Sequence, residues 1–257
     1  MKTKYYKFCG FLFLILTFEC SVLYCPANAI PIEEILKKVD KFRAPDRSFG
    51  FNLKVTVKKE EADLVGTFSV RIKDFKKSLV LFKSPASNRG RVLLMVEDNI
   101  WIYIPGTKNP IRISPQQQMM GNVSNADVAR VVFNIDYKIE SMEEDTLEGQ
   151  RVLNLTLSAT TKGAAYQSIT LWVEKESFKP IKGEFFALTG KLLKTAIYKG
   201  YERILGQERL TLLEIRDAVK HNETSIMEYS NFKIQDTPEI YFQKTSMERA
   251  GSGFDER

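Results

Sequence analysis

Val92-Leu93-Leu94-Met95-Val96-Glu97-Asp98-Asn99-Ile100-Trp101-Ile102-Tyr103-Ile104-Pro105 decides the fold. Val92, Leu94 and Val96 recur at every second position, Glu97-Asp98-Asn99 interrupts them, and Ile100, Ile102 and Ile104 resume the same period. A period of two places alternate side chains on opposite faces of a strand, and the Asp-Asn and Pro105-Gly106 pairs are turn signals. The stretch is a hairpin with at least one buried face.

The same pattern runs outward in both directions. Upstream, Leu53, Val55 and Val57 alternate with polar residues, as do Phe68, Val70 and Ile72, and Val80 and Phe82 follow. Downstream, strands are predicted over 138–142, 152–157, 169–173, 181–187, 192–199, 209–215 and 224–234, divided by turns at Glu148-Gly149, Lys175-Glu176 and Thr189-Gly190. Short links between successive strands favour antiparallel neighbours, and a sheet of this size curls. The expectation is a mainly β domain over residues 30–257, a single highly curved antiparallel sheet of about eleven strands that forms an unclosed half-barrel.

Two segments break the period. Pro31 to Arg43 carries Ile32, Ile35, Leu36, Val39 and Phe42 at helical spacing, with Glu33 and Glu34 at its start and Lys37, Lys38, Lys41 and Arg43 toward its end, the polarity a helix dipole favours. Ser114 to Asn134 has no strand pattern; Ser124-Asn125-Ala126-Asp127 offers an N-cap, and Val128, Val131 and Val132 form a short apolar stripe, so a second helix is predicted over 125–133. Both helices are candidates to cover the concave face. Ala250 to Arg257 is polar and rich in glycine and reads as a frayed tail.

Lys2, Lys4 and Lys7 precede a short apolar run from Phe8 to Phe18, and Ala27-Asn28-Ala29 has the form of a cleavage site. This is a secretory signal peptide cut after Ala29, too short to span a bilayer, and it implies a periplasmic or otherwise exported domain. The rival reading is a lipoprotein signal acylated at Cys25, which follows Leu23-Tyr24 in place of the small residues such signals carry; Cys20, after Phe18-Glu19, is placed no better. Cys9, Cys20 and Cys25 all precede Ala29, so the exported domain has neither a disulfide nor a cysteine metal site.

The net charge of +6 includes the leader's lysines, and lysines and glutamates are interspersed along the chain. That is a solvated outer sheet face and not a nucleic-acid surface, although transient contact with anionic lipid surfaces fits it. Residues for catalysis are missing. His221, the sole histidine, stands in a Lys-His-Asn-Glu turn; no serine occupies a nucleophile elbow, no glycine loop cradles a phosphate, and Glu143-Glu144-Asp145 lacks calcium-loop spacing. The reading is a non-enzymatic monomer without metal or cofactor. Its working surface is apolar: Phe68, Val70, Ile72, Val80, Phe82, Leu94, Val96, Ile102, Ile104, Ile169, Leu171, Val173 and Phe185 are the candidate groove lining. Ile32, Ile35, Leu36, Val39, Val128, Val131 and Val132 are the candidate lid residues, with Met119 and Met120 at the lip. An ordinary filled core fits the same pattern.

The segment Asn99-Ile100-Trp101-Ile102-Tyr103-Ile104-Pro105 followed by Ile111-Arg112-Ile113-Ser114 resembles the "W-x-Y-x-P … R-x-I" stretch of the bacterial outer-membrane lipoprotein-sorting family, the LolA-like proteins. Ile169-Thr170-Leu171-Trp172-Val173-Glu174-Lys175, Lys179-Pro180-Ile181-Lys182-Gly183-Glu184-Phe185-Phe186 and Gly190-Lys191-Leu192-Leu193-Lys194-Thr195 match it more closely, and the resemblance spans Ile32 to Arg249. It implies a periplasmic unclosed barrel whose helices close its mouth. It further implies a cargo of acylated lipoproteins or lipids, taken from an inner-membrane exporter and given to an outer-membrane acceptor. The chain departs from the family at Met120-Gly121-Asn122-Val123-Ser124, where related chains carry an acid and an aromatic, and the cargo-sensing arginine of the best-known carriers has no motif here, Arg43 and Arg47 being the nearby arginines.

Overall fold

The computed structural model describes residues 30–218 and 223–253. The chain divides into residues 1–30 and residues 31–257, and the elements below belong to the second unit. The leader with its cleavage site, the three cysteines and His221 lie outside the described residues.

Helix α1 (Ile32–Lys41) leads into a meander of β1 (Phe49–Lys58), β2 (Leu64–Lys73), β3 (Lys77–Ser84), β4 (Val92–Val96), β5 (Asn99–Tyr103) and β6 (Ile111–Ile113). An insertion follows, a small hairpin of β7 (Gln118–Met120) and β8 (Val123–Ser124) with the five-residue helix α2 (Asn125–Ala129). A second meander comprises β9 (Tyr137–Leu147), β10 (Gln150–Ala159), β11 (Ser168–Glu174), β12 (Pro180–Phe186), β13 (Leu192–Ile204), β14 (Gln207–Asp217) and β15 (Thr224–Ile234). Helix α3 (Met247–Gly253) ends the described chain.

Thirteen strands form one antiparallel sheet in the order β6-β5-β4-β3-β2-β1-β15-β14-β13-β12-β11-β10-β9. The two meanders join through β1 and β15, where Leu53 pairs with Tyr229 and Val55 with Met227. The sheet is curved and unclosed, with β6 and β9 as its free edges. Irregular register gives it curvature: the pairing shifts at Thr67/Phe68, Thr156/Leu157, Trp172/Val173, Phe185/Phe186 and around Gly200, and each such bulge bends a strand and increases its twist. Glu148-Gly149, with φ of 50° and 83°, makes the tight turn that joins β9 to β10.

The fold expectation holds, with more strands than expected. The concave face buries the main core, which contains Phe68, Val70, Ile72, Val80, Phe82, Leu155, Leu157, Ile169, Leu171 and Val173. A second cluster lies on the opposite face of β3–β5, where Leu79, Leu81, Val92, Leu94 and Tyr103 pack against Phe242, Met247 and Ala250. This corrects the tail as far as Gly253: residues 247–253 are helical, Met247 and Ala250 are buried, and Lys73–Asp236 (2.6 Å) and Lys77–Glu239 (2.5 Å) ion pairs fasten the approach to it, while residues 254–257 lie outside the described residues.

Candidate functional site

The concave face is covered from two sides. On α1, Ile35, Leu36 and Val39 are buried against the core while Glu34 and Lys37 pair outside at 2.7 Å. Opposite stands the insertion. Ser124 caps α2 in a reciprocal box: its Oγ accepts the Asp127 N–H at 3.3 Å, and Asp127 Oδ2 accepts the Ser124 N–H at 2.7 Å. The helix stops at Ala129, four residues earlier than the spacing predicts. Arg130 leaves helical geometry (φ −110°, ψ 88°) as its guanidinium binds Asp136 at 2.8 and 3.0 Å, the Glu97 carbonyl at 3.0 Å and Asp98 at 3.2 Å. Val131, Val132 and Phe133 then enter the core as chain without regular secondary structure.

One carboxylate latches the two covers together. Asp40, near the end of α1, accepts the backbone N–H of Phe133 (2.7 Å) and Asn134 (2.9 Å) and the Asn134 side-chain amide (2.7 Å). Burial outweighs these bonds and the neighbouring Arg43, and pushes the Asp40 carboxyl up from 3.8 to about 6.

Between the covers and β9–β14 lies a pocket that Arg43, Asp127, Phe133, Tyr166, Phe185, Lys194, Tyr198, Leu213 and Ile215 help to line. Its free space is about 40 Å³. That holds a few waters at about 10–15 Å³ each in this measure, and no acyl chain. Lys194 reaches it from β13, on the same side of the strand as Ala196 and Tyr198. Its ammonium is buried, pairs with Asp127, and sits 4.7 Å from the Tyr166 ring centre and 5.4 Å from that of Phe185. Tyr166 donates to Asp127 at 3.0 Å. Burial depresses the Lys194 ammonium and raises the Tyr166 phenol, and it holds Tyr198 protonated by pushing it up to about 12. The Arg43 guanidinium lies 4.4 Å from the Phe133 ring centre. Larger spaces open at the rim. One of about 380 Å³ and one of about 370 Å³ flank Phe75 and Val132, the first beside Arg130 and Asp136, the second beside Lys41 and Asn134.

The expected groove residues divide. Phe68, Val70, Ile72, Val80, Phe82, Ile169, Leu171, Val173 and Phe185 share the concave core, but of these only Ile169 and Phe185 line the pocket. Phe68 and Phe82 meet edge to face at 4.9 Å. Leu94 and Val96 are corrected: they belong to the outer cluster, and Leu93 and Met95 hold the inner positions of β4. Ile102 pairs with Leu93 and is half-buried, as is Ile104 beyond the strand end. Of the lid residues, Ile35, Leu36, Val39, Val128, Val131 and Val132 are buried and Ile32 is exposed. Met119 and Met120, half-buried on β7, pack on the core, and Met120 reaches the Gly66 backbone. Of the ionic groups, Arg43 was singled out as a nearby arginine and Asp127 only as part of an N-cap; their meeting with Lys194, Arg130 and Asp136 was missed. The local trace of that meeting is a lysine at position 194, on the strand parity that Ala196 and Tyr198 bury.

A protein-family model described as "Uncharacterized protein" matches residues 74–249. No curated protein matches the chain. Among solved structures, a LolA superfamily protein from Nitrosomonas europaea is 33% identical, with a TM-score of 0.80 over 84% of this chain and 99% of its own. Two others share the fold: one named for an outer membrane lipoprotein-sorting protein domain, from Vibrio parahaemolyticus (20% identical, TM-score 0.71, covering 84% and 98%), and a DUF1329 family protein from Desulfovibrio piger (18%, 0.69, 84% and 97%). The first of these, with its identity and near-complete coverage, settles the family: the chain is a member of the LolA superfamily.

Proposed function

We propose that this protein is a periplasmic carrier that shelters acyl chains between its concave sheet and two displaceable covers, and that it delivers acylated cargo toward the outer membrane. The cargo is a lipoprotein or a free lipid. Delivery would run from an inner-membrane exporter to an outer-membrane acceptor, with the protein acting as a monomer that carries out no reaction. The observation that carries the reading is the construction of the interior. A continuous apolar face is closed by α1 and by an insertion that runs from one free edge of the sheet to the other, neither being part of the sheet.

The closed pocket is too small for cargo, so loading exchanges cover side chains for acyl chain. Ile35, Leu36 and Val39 contribute about 1.5–3 kcal/mol each when buried. An acyl chain gains about 0.8 kcal/mol per methylene, so roughly ten methylenes offset the loss of all three. A single fatty tail is therefore enough to hold α1 away, and the Asp40 latch sets the remaining threshold.

Native mass spectrometry of protein recovered from its own periplasm tests the reading. The expected result is an adduct whose fragments include acyl chains, as acylated peptide or as lipid. Recovery free of any acyl adduct, with no uptake of lipid in vitro, would overturn it.

A further inference from the structure

The pocket lining carries three cations and two carboxylates: Arg43, Arg130 and Lys194 against Asp127 and Asp136. Arg130 is matched to Asp136 by two hydrogen bonds, and Lys194 to Asp127. Arg43 has no carboxylate within ion-pair distance among the described residues; it lies over the face of Phe133 and feels the Asp40 carboxyl, already held by Phe133 and Asn134, only at longer range. The Tyr198 hydroxyl lines the same pocket and makes no hydrogen bond among the described residues. A half-buried guanidinium and a buried phenol, both without an acceptor, stand beside the apolar side chains Leu213, Ile215 and Phe185. Buried polar groups are normally satisfied, and a surplus charge in an apolar wall attracts a counter-ion.

We propose that Arg43 and Tyr198 form a binding site for the anionic head of a single amphiphile, a carboxylate or a phosphodiester, whose acyl chain occupies the concave face. Arg43 supplies a charge-assisted donor, Tyr198 a neutral one, and the Lys194–Asp127 pair stays intact at the back of the site. Among possible cargoes this favours an anionic free lipid over a lipoprotein anchor, whose ester, thioether and amide groups bear no charge. The proposal rests on the carrier reading and narrows it.

The test measures binding of oleate, phosphatidylglycerol, diacylglycerol and a triacylated, C-terminally amidated lipopeptide without charged side chains to the delipidated protein, by displacement of a fluorescent fatty-acid probe. Expected is tighter binding of oleate and phosphatidylglycerol than of the other two. Arg43→Gln should weaken the anionic ligands about ten- to a hundredfold, the loss of one charge-assisted hydrogen bond, and Tyr198→Phe should weaken them about three- to tenfold. In each variant the loss should be larger for the anionic ligands than for the lipopeptide. Preference for oleate over phosphatidylglycerol, or the reverse, identifies the head. Equal binding of charged and neutral ligands by the unmodified protein, a result that needs no variant to fold, overturns the headgroup site and leaves the carrier reading standing. Failure of all four to bind overturns both.

Discussion

Acidification should tighten the covers, and the effect should run through Asp40. When α1 lifts from the insertion, the Asp40 carboxyl enters water and returns toward 3.8; closed, it stands at about 6. The closed state therefore binds a proton more strongly, so closure is favoured as pH falls and weakened as pH rises through about 6. Complete passage from above 6 to below 3.8 is worth about 3 kcal/mol, and between pH 7.5 and 5.0 closure should gain about tenfold, or ~1.4 kcal/mol. The raised value comes from burial, which the bonds to Phe133 and Asn134 only partly offset. Asp136, also raised by burial, acts in the same direction, so the comparison that isolates the latch is with Asp40→Asn. The assay is amide hydrogen exchange over residues 32–41 and 131–137, corrected for intrinsic rates. Opening free energy in the native protein should rise by about 1.4 kcal/mol from pH 7.5 to 5.0, and in Asp40→Asn by much less. Protection that falls on acidification, or an unchanged slope in the variant, would refute the reasoning.

Two further substitutions probe the same region. Lys194→Ala strands Asp127 without its buried cation, and since the Ser124 N–H and the Tyr166 hydroxyl still serve that carboxylate the cost should fall at the low end of the usual range, about 3 kcal/mol in urea unfolding. Gly121 joins β7 to β8 at φ +54°, and a Cβ there would lie 2.5 Å from Val57 and 2.7 Å from Ser225, so Gly121→Ala combines left-handed strain with overpacking. A loss of about 3 kcal/mol is expected, with protease cleavage appearing first within residues 114–124.

The sheet was legible because its alternation survives in the sequence. Leu53-Val55-Val57 and Phe68-Val70-Ile72 each bury one parity, and the resulting strands pair as neighbours. Parity failed at β4 for a physical reason. The tail covers the outer face of β3–β5, so Val92, Leu93, Leu94 and Met95 are all buried, and a strand covered on both sides reads as a continuous apolar run in which inner and outer positions look alike. The tail from Ala250 looked frayed because Ala250 stands alone beside Gly251-Ser252-Gly253, and its burial depends on contacts with β3–β5 that no local pattern shows. Helix α2 was over-extended because Val128, Val131 and Val132 keep a helical spacing that Arg130 interrupts for the sake of distant carboxylates. The ionic pocket was beyond local reading: Arg43, Asp127 and Lys194 come from the turn after α1, the insertion and β13, and only the fold sets their charges side by side.

The pairing of β1 with β15 also governs how the molecule can be made. The strands at the middle of the finished sheet are the first and last to be synthesised, so each meander can zip locally while the seam waits for the C-terminus. Until then β1 presents an unpaired hydrogen-bonding edge with Phe49, Phe51, Leu53 and Val55 along it, the kind of template that recruits stray strands. A nascent copy halted before residue 224 is thus expected to aggregate through that edge, and shielding it until the final segment has emerged should raise the yield of folded protein.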